Sequence, residues 1–156
     1  MAAAAPVAAQ PAAPAPSAAV PSQSGLMGPV LYVSDVAKSV GFYEALGMKV
    51  AMRMGPPQHL ETMLAFDGDP LGSGLILLSD GTATVPARIE HGHGYERTVM
   101  RIARLAEISA RLQAAGFTVS PIRDVAMGYR MMLATDPDGY KLELVERGAH
   151  PGKAPQ

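Results

Sequence analysis

One glutamate and two arginines stand where a carboxylate and cations could act on a common ligand. The β-rich runs Arg97–Ile102 and Tyr140–Glu146 predict strands, and side chains two residues apart on a strand point to the same side. Arg97 therefore shares a face with Arg101, and Glu143 lies on one face of the other strand. A carboxylate can remove a proton as a general base, and a guanidinium binds an oxyanion through paired hydrogen bonds. These residues are the first candidates for proton transfer or for binding an oxyanion.

Two histidines, His91 and His93, form an alternating pair. On a strand, this spacing would point both imidazoles the same way and could bind a metal ion. They lie, however, in the polar, glycine-bearing segment 80–95, which predicts a linker between two units. We therefore expect a solvated, mobile loop rather than metal ligands. His59 and His150 are isolated in the sequence, and we assign neither a function.

Composition excludes several classes of protein. The chain has 156 residues and a mass of 16.3 kDa, with 13 basic and 14 acidic residues and neither cysteine nor tryptophan. Near-neutral charge argues against nucleic-acid binding, and without cysteine there is no disulfide, thiolate nucleophile or cysteine-bound metal. No apolar run approaches the ~20 residues of a membrane span, and glycine-rich phosphate loops and G-x-S-x-G are absent from the sequence. These exclusions leave a globular protein that binds or converts a small molecule, or binds a protein partner.

The two ends of the chain differ from its body. Residues 1–25 contain eleven Ala and five Pro, and proline stops an alanine-rich helix because it lacks an N–H and clashes with the preceding turn. We predict a disordered tail there and a flexible C-terminus over 148–156. The tail lacks the basic and uninterrupted apolar regions of an intact signal peptide. We expect a cytoplasmic protein, with an exported and processed protein as the alternative.

An internal repeat organises the body, residues 26–147. A shift of 69 residues brings similar residues together over nearly forty positions, as expected of a repeated structural unit. The matched pairs include Val30 with Val99, Gly47 with Gly116, Met63 with Met132 and Asp67 with Asp136. Beyond these pairs we expect the first copy to contain three extra residues, around 71–73. They reduce the shift to 66, which pairs Leu77 with Glu143.

Each copy predicts the order strand, helix and three strands. Ser34-Asp35 is typical of a helix cap, and Gly47 and Gly116 are typical of helix ends. The predicted strands are Val30–Val33, Met48–Arg53, Glu61–Phe66 and Gly74–Ser79, then Arg97–Ile102, Phe117–Pro121, Arg130–Thr135 and Tyr140–Glu146. The fold class is therefore α+β, with two tandem βαβββ modules at 26–80 and 94–147.

A family resemblance is carried by residues near the start and the end of this body. They are Val33-Ser34-Asp35-Val36, Ser39-Val40-Gly41-Phe42-Tyr43, Leu46-Gly47-Met48, Ala115-Gly116-Phe117 and Asp136-Pro137-Asp138-Gly139-Tyr140-Lys141-Leu142-Glu143-Leu144. In these residues the chain resembles the vicinal oxygen chelate superfamily, which includes glyoxalase I, extradiol dioxygenases and bleomycin-resistance proteins. The resemblance implies curved mixed sheets that form a cavity, a small-molecule ligand and a homodimer. We expect neither nucleic acid nor membrane as partner, because the charge is near neutral and the apolar runs are short.

The sequence departs from this family at the metal site. In glyoxalase-like members, His or Gln, Glu, His and Glu hold the metal on the first and last strands of each module. The corresponding positions here are Gly28, Leu77, Arg97 and Glu143. Glycine and leucine offer no donor atom and arginine is a cation, so only Glu143 could contact a metal. We assign no cofactor, and these residues disfavour a divalent metal.

The same family geometry implies that Arg97 and Glu143 meet in the cavity. We predict that this pair binds a carboxylate, enolate or phenol of the substrate, with Glu143 as general base. The alternative is a structural ion pair that fills the place of a lost metal. The substrate-binding candidates beside the pair are Tyr32, Leu77, Ser79 and Arg101. We expect Tyr32 to share a face with Leu77 and Ser79, or else to be a buried core residue.

Two functions of different class fit these observations. One is a lyase or isomerase of the glyoxalase type, which acts on a small oxygenated organic molecule with a degenerate or absent metal site. The other is a protein that binds and sequesters an antibiotic or aromatic compound without catalysis. We favour the enzyme. Three missing ligands argue against the mechanism of glyoxalase I itself, in which a metal acts as Lewis acid.

Overall fold

The computed structural model describes residues 25–83 and 88–148. The first module contains β1 (Val30–Tyr32), α1 (Val36–Ala45), β2 (Lys49–Met54), β3 (Leu60–Ala65) and β4 (Gly74–Ser79). The second contains β5 (Thr98–Arg101), α2 (Leu105–Ala114), β6 (Arg123–Val125), β7 (Tyr129–Thr135) and β8 (Lys141–Arg147). The predictions for the two tails fall outside the described residues, except at Gly25 and Gly148. Among the described residues, no helix has the length and apolar character needed to cross a membrane.

Each module forms a four-stranded mixed sheet. The strand order is β1-β4-β3-β2 in the first sheet and β5-β8-β7-β6 in the second. In each sheet the first strand pairs in parallel with the last, and the other neighbours are antiparallel. A parallel pair needs a long connection, which the helix and the two intervening strands supply. The predicted α+β fold of two βαβββ modules is confirmed.

Local sequence explains where the helices begin and end. The Asp35 carboxylate accepts hydrogen bonds from the N–H groups of Ala37 and Lys38, at 3.0 and 3.1 Å, and so caps α1 as predicted. Gly47 and Gly116 follow the two helices with φ of +97° and +83°. This left-handed conformation suits glycine, which has no Cβ to clash, and it ends each helix.

One hydrophobic core joins the two modules. Apart from Met63, Ala65 and Met131, the buried hydrophobic side chains of the described residues belong to a single cluster, to which both helices and both sheets contribute. Helix α2 contributes Leu105, Ile108 and Leu112 to this cluster. Each is at most 3% exposed, as their helical spacing predicts. The opposite face of each sheet is called the open face. It carries Val30 and Tyr32 in the first sheet and Val99, Arg101 and Glu143 in the second.

The turn between β7 and β8 fastens the second module to α1 of the first. Asp138 accepts hydrogen bonds from the Ser34 N–H at 3.1 Å, from the Ser34 hydroxyl and from the buried Ser39 hydroxyl at 3.3 Å. Asp136, only 4% exposed, accepts one from the Tyr43 hydroxyl at 3.0 Å. Burial raises the pKa of the Asp136 carboxyl, and burial beside that acid raises the pKa of Tyr43. The Asp-Pro-Asp-Gly run is thus a joint between the modules.

The strand register corrects the predicted offset between the last strands. Val30 lies opposite Ile76, and its repeat partner Val99 lies opposite Glu143. Ile76 rather than Leu77 is therefore the counterpart of Glu143, at a shift of 67 residues. The predicted three-residue excess is present, because residues 66–73 separate β3 from β4 and residues 136–140 separate β7 from β8. The prediction of 66 was wrong because the shift before this turn is 70 rather than 69: Met63 lies opposite Ile76, and Leu133 lies opposite Glu143. A one-residue error moves every side chain of a strand to the opposite face.

The strand predicted at Phe117–Pro121 is a second correction. This segment makes one isolated bridge, between Val119 and Ala134, and the edge strand forms later in the chain, at β6. Phe117 and Val119 pack against the core instead. The backbone of this segment pairs with β7 only around this bridge, through Ser120 N–H to the Leu133 oxygen at 2.8 Å and Thr135 N–H to the Thr118 oxygen at 3.4 Å. Pro121, which has no N–H, cannot donate to a longer ladder.

Candidate functional site

Arg97 is held between two carboxylates at the start of β5. Its Nε donates a hydrogen bond to Glu143 Oε2 at 2.6 Å, and its Nη1 donates to the Glu96 carboxylate. The Arg97 side chain is 41% exposed, that of Glu143 21% and that of Glu96 64%. The bonds to Glu96 and then Glu143 raise the pKa of the guanidinium, which therefore stays charged. The predicted contact between Arg97 and Glu143 is confirmed, but neither residue is in the wall of the two cavities described below, and the function of the pair stays a prediction.

Two neighbouring strands set this geometry. Across the parallel pair of β5 and β8, Val99 lies opposite Glu143 and Arg101 opposite Val145. Because side chains alternate along a strand, these four residues share the open face, and Leu144 is fully buried behind them. Arg101, a predicted substrate residue, thus lies on the face of the ion pair.

A cavity of about 340 Å³ opens beside the ion pair. It is lined by His91, Gly92, His93, Tyr95, Glu96, Gly139 and Lys141. Lys141 precedes Glu143 by two residues on β8, so the two side chains share a face and are spaced roughly 7 Å along the strand. The cavity therefore runs alongside the ion pair and adds a second cation to its surroundings. Its volume falls in the range of small-molecule sites.

The loop that carries His91 is attached to the second module. His91 Nε2 donates a hydrogen bond to the carbonyl oxygen of Asp138 at 2.8 Å, and its ring meets Tyr140 edge to face at 4.7 Å. We assign the hydrogen to Nε2 because a carbonyl oxygen only accepts. His91 is exposed, as expected of a solvated linker, but aromatic packing and this bond attach it to the joint. The Tyr140 hydroxyl, whose pKa is raised by burial, donates in turn to the Tyr32 carbonyl oxygen at 3.0 Å.

A second cavity, of about 380 Å³, lies where the two modules meet. Its walls come from the segment before β1, the segment around the start of β4 and strand β5. Its apolar lining includes Leu26, Pro29, Phe66 and Val99, and Arg101 is its charged residue. This cavity can therefore accept an uncharged group close to the cation of Arg101.

The family's metal does not fit the residues present at this site. A Cβ at Gly28 would lie 1.8 Å from the carbonyl oxygen of Gly74, so a ligating side chain there requires the backbone to move. The register places Ile76, which has no donor atom, at the second position. Arg97 and Glu143 at the other two positions satisfy each other. In the part of the chain that the structure describes, no three His, Asp or Glu side chains converge so as to hold a metal ion.

Two predicted substrate residues lie on the opposite side of the first sheet from the open face. Leu77 and Ser79 are 0% and 7% exposed and face the core, whereas Tyr32 is 39% exposed and lies on the open face. The prediction was wrong because Leu31, not Tyr32, lies opposite Leu77 in the parallel pair of β1 and β4. Tyr32 is an open-face residue and not a core tyrosine.

Sequence reasoning missed Glu96, Tyr95 and Tyr140. The Tyr95 hydroxyl hydrogen-bonds the Thr98 hydroxyl, and the Tyr95 ring lines the first cavity and lies 6.1 Å from the ring of Tyr140. An acidic residue next to the candidate arginine was the available signal. Neighbouring residues on a strand point to opposite sides, but Glu96 precedes β5 and reaches Arg97 from an irregular segment.

Curated proteins of similar sequence are lactoylglutathione lyases. The enzyme of Salmonella typhimurium is 29% identical over 135 residues, which cover 78% of this chain and 91% of that protein. A probable chloroplastic lactoylglutathione lyase of Arabidopsis thaliana is 29% identical over 125 residues, but the match spans only 35% of its length. The chain therefore corresponds to nearly all of the bacterial protein and to about a third of the plant one.

Solved structures agree with the fold. The trypanothione-dependent glyoxalase I of Leishmania major has a TM-score of 0.64 at 25% identity, over 80% of this chain and 88% of that one. Glyoxalase I of Zea mays has a TM-score of 0.67 at 22% identity, over 78% of this chain and 44% of that one, a likeness of fold alone. Residues 26–144 match the model of one family over most of the chain. The chain belongs to the Glyoxalase/Bleomycin resistance protein/Dioxygenase superfamily.

Proposed function

We propose that this protein binds a small oxygenated organic molecule on the open face of its second sheet and acts on it as a lyase or isomerase. The observation that carries the proposal is the pair of Arg97 and Glu143, joined at 2.6 Å on a partly exposed face. The neighbours of Arg97 in the chain, Glu96 and Thr98, line the two cavities. The relatives named lactoylglutathione lyases support this reaction class.

Arg97 anchors the ligand, and Glu143 moves the proton. A carbonyl oxygen that accepts a hydrogen bond from Arg97 polarises the neighbouring C–H bond. Glu143 removes that proton with Oε1, the carboxylate oxygen that does not accept from Arg97. The C–H electron pair passes to the oxygen as an enolate, which Arg97 stabilises by charge-assisted hydrogen bonds. In a ligand with a hydroxyl on the carbon that lost its proton, Glu143 returns the proton to the former carbonyl carbon, while the hydroxyl proton passes to the enolate oxygen and a new carbonyl forms at the first carbon. These transfers complete an isomerisation. No step is assigned to a metal, because the residues at the family's metal positions do not fit one.

Proton exchange with solvent tests this proposal. The protein is incubated in D₂O with compounds that carry a C–H beside a carbonyl, lactoylglutathione among them, and NMR follows replacement of that hydrogen by deuterium. Glu143→Gln should slow exchange by about 10²- to 10⁴-fold, the usual contribution of a general base. Arg97→Leu should abolish both binding and exchange.

Glu107→Gln is the matched control, because Glu107 pairs with Arg104 at 3.3 Å on the exposed surface of α2, away from the site. This variant should exchange at the wild-type rate. Wild-type exchange in Glu143→Gln would contradict the general base, and unchanged affinity in Arg97→Leu would contradict the anchor.

A second candidate function is sequestration of an apolar or aromatic compound without catalysis. Apolar side chains on the open face favour it, since Val30 is 54% and Val99 60% exposed. Large exposed apolar groups are typical of binding surfaces. Tight binding without exchange of any C–H would select this function over the enzyme.

We also propose that the protein forms a homodimer. The exposed apolar residues Leu26, Val30 and Val99 support it, because a second copy would remove them from water. Size-exclusion chromatography with light scattering should give twice the 16.3 kDa chain mass. A mass of one chain at all concentrations would contradict the dimer.

A further inference from the structure

We infer that the ligand of this site carries a carboxylate, and that the Glu96 side chain occupies on Arg97 the position that this carboxylate takes. The inference rests on the proposed function, because it takes Arg97 as the anchor. It adds the chemical class of the anchored group and a residue that tunes its affinity.

The two carboxylates on Arg97 are held in different ways. Glu143 belongs to β8, which is paired on one side with β5 and on the other with β7, and its side chain is 21% exposed. Glu96 belongs to the irregular segment before β5, and its side chain is 64% exposed. An exposed ion pair contributes no more than about a fivefold change in an equilibrium. Glu96 is therefore the carboxylate that a ligand can displace.

The charges around the site also favour an anionic ligand. Arg97 and Lys141 are the cations at the ion pair and its cavity, and Glu96 and Glu143 are the acids. These four charges balance while Glu96 contacts Arg97. Once Glu96 turns to solvent, one cation lacks a partner, and an anion restores the balance. A planar guanidinium matches a planar carboxylate through two parallel hydrogen bonds, so a carboxylate is the anion that fits.

The cavity beside Glu96 indicates what the carboxylate is attached to. Glu96 is itself part of the wall of the 340 Å³ cavity, together with His91 and Tyr95. A ligand whose carboxylate takes the place of Glu96 therefore has its body in that cavity, against an imidazole and a phenol ring. Aromatic rings favour edge-to-face contact with another ring. A carboxylate that carries an aromatic ring, here called an aryl carboxylate, is a ligand of this kind.

Phenylacetate and its uncharged analogue phenylacetamide test the inference. Both are titrated by NMR into the wild-type protein and into Glu96→Gln, Glu107→Gln and Arg97→Leu. Glu96→Gln keeps the side-chain shape and removes the competing charge, so it should bind phenylacetate about three- to fivefold more tightly. Glu107→Gln should match the wild type, Arg97→Leu should lose phenylacetate binding, and phenylacetamide should not discriminate wild type from Glu96→Gln.

The outcomes separate this inference from the function on which it rests. Phenylacetate affinity in Glu96→Gln that equals or falls below the wild-type value, with binding still lost in Arg97→Leu, overturns the inference and leaves the anchor in place. Equal affinity of wild type and Arg97→Leu overturns the anchor and with it the proposed function. Absence of phenylacetate binding to both wild type and Glu96→Gln overturns the aryl-carboxylate assignment.

Discussion

Asp138→Ala should destabilise this protein far more than Asp69→Ala, although the 69-residue shift of the sequence repeat pairs the two aspartates. Asp138 accepts hydrogen bonds from Ser34 and Ser39 of the other module. The Asp69 carboxylate accepts one, at 2.9 Å, from the Leu71 N–H in its own exposed turn. The two variants thus remove the same atoms from different surroundings.

The difference in destabilisation follows from the hydrogen-bond donors that each substitution leaves without a partner. A hydrogen bond to a charged group contributes about 1.5–3 kcal/mol, and an unsatisfied buried donor adds its desolvation. Ser39 is fully buried and Asp138 only partly so, so we expect Asp138→Ala to lower the free energy of unfolding by about 2–3 kcal/mol. In a domain of this size the melting temperature should fall by about 8–12 °C. Asp69→Ala should change the free energy of unfolding by less than about 1 kcal/mol.

Urea denaturation followed by circular dichroism measures both variants beside the wild type. The dependence of the free energy on urea should keep its slope, because the exposed surface area of unfolding is unchanged. Equal losses in the two variants would refute the reasoning, since they would show that Asp138 contributes only its local turn. A reduced slope in Asp138→Ala alone would show that the modules unfold separately once the joint is broken.

Two further predictions concern backbone space and pH. Gly28→Ala should lower the free energy of unfolding by at least about 2 kcal/mol, because the added Cβ would lie 1.8 Å from the Gly74 carbonyl oxygen. Gly41→Ala, inside α1 with free space around it, should raise the free energy of unfolding by about 0.5–1 kcal/mol. Similar urea midpoints for the two variants would contradict this prediction. Burial alone would raise the pKa of Glu146, but hydrogen bonds, above all from Arg130, lower it below its usual 4.5. The ionised form of Glu146 therefore stabilises the fold above that value, and this stabilisation is lost as pH falls through the lowered pKa. In urea denaturation, the difference in free energy of unfolding between wild type and Glu146→Gln should shrink from pH 6 to about pH 3. A difference that stays constant over this range would contradict the prediction.

The elements of the fold were predictable from the sequence because their signals are local. Asp35 caps α1 through N–H groups two and three residues away, and glycines at 47 and 116 end helices by their own conformation. The repeat then supplied the order of strands, since a shift of 69 carries one module onto the other. Such signals do not depend on what packs against them.

The register and the details of the site were not predictable in the same way. Whether Ile76 or Leu77 matches Glu143 depends on one residue of loop length, which no periodic pattern reports. His91 meets the joint through a contact spanning 47 residues of chain, and its polar, glycine-bearing loop gave no sign of it. The contact between Arg97 and Glu143 was predictable because the family resemblance supplied the tertiary arrangement.

Metal content is the most direct test of the central claim, that Arg97 and Glu143 form an oxyanion site in place of the family's metal. Protein purified without chelator is offered nickel, zinc, manganese or iron separately, and each sample is measured by elemental analysis, with Glu143→Gln in parallel. We predict well below one metal per chain in every sample, with no difference between the two proteins. About one tightly held metal per chain in the wild type, lost in Glu143→Gln, would contradict the account.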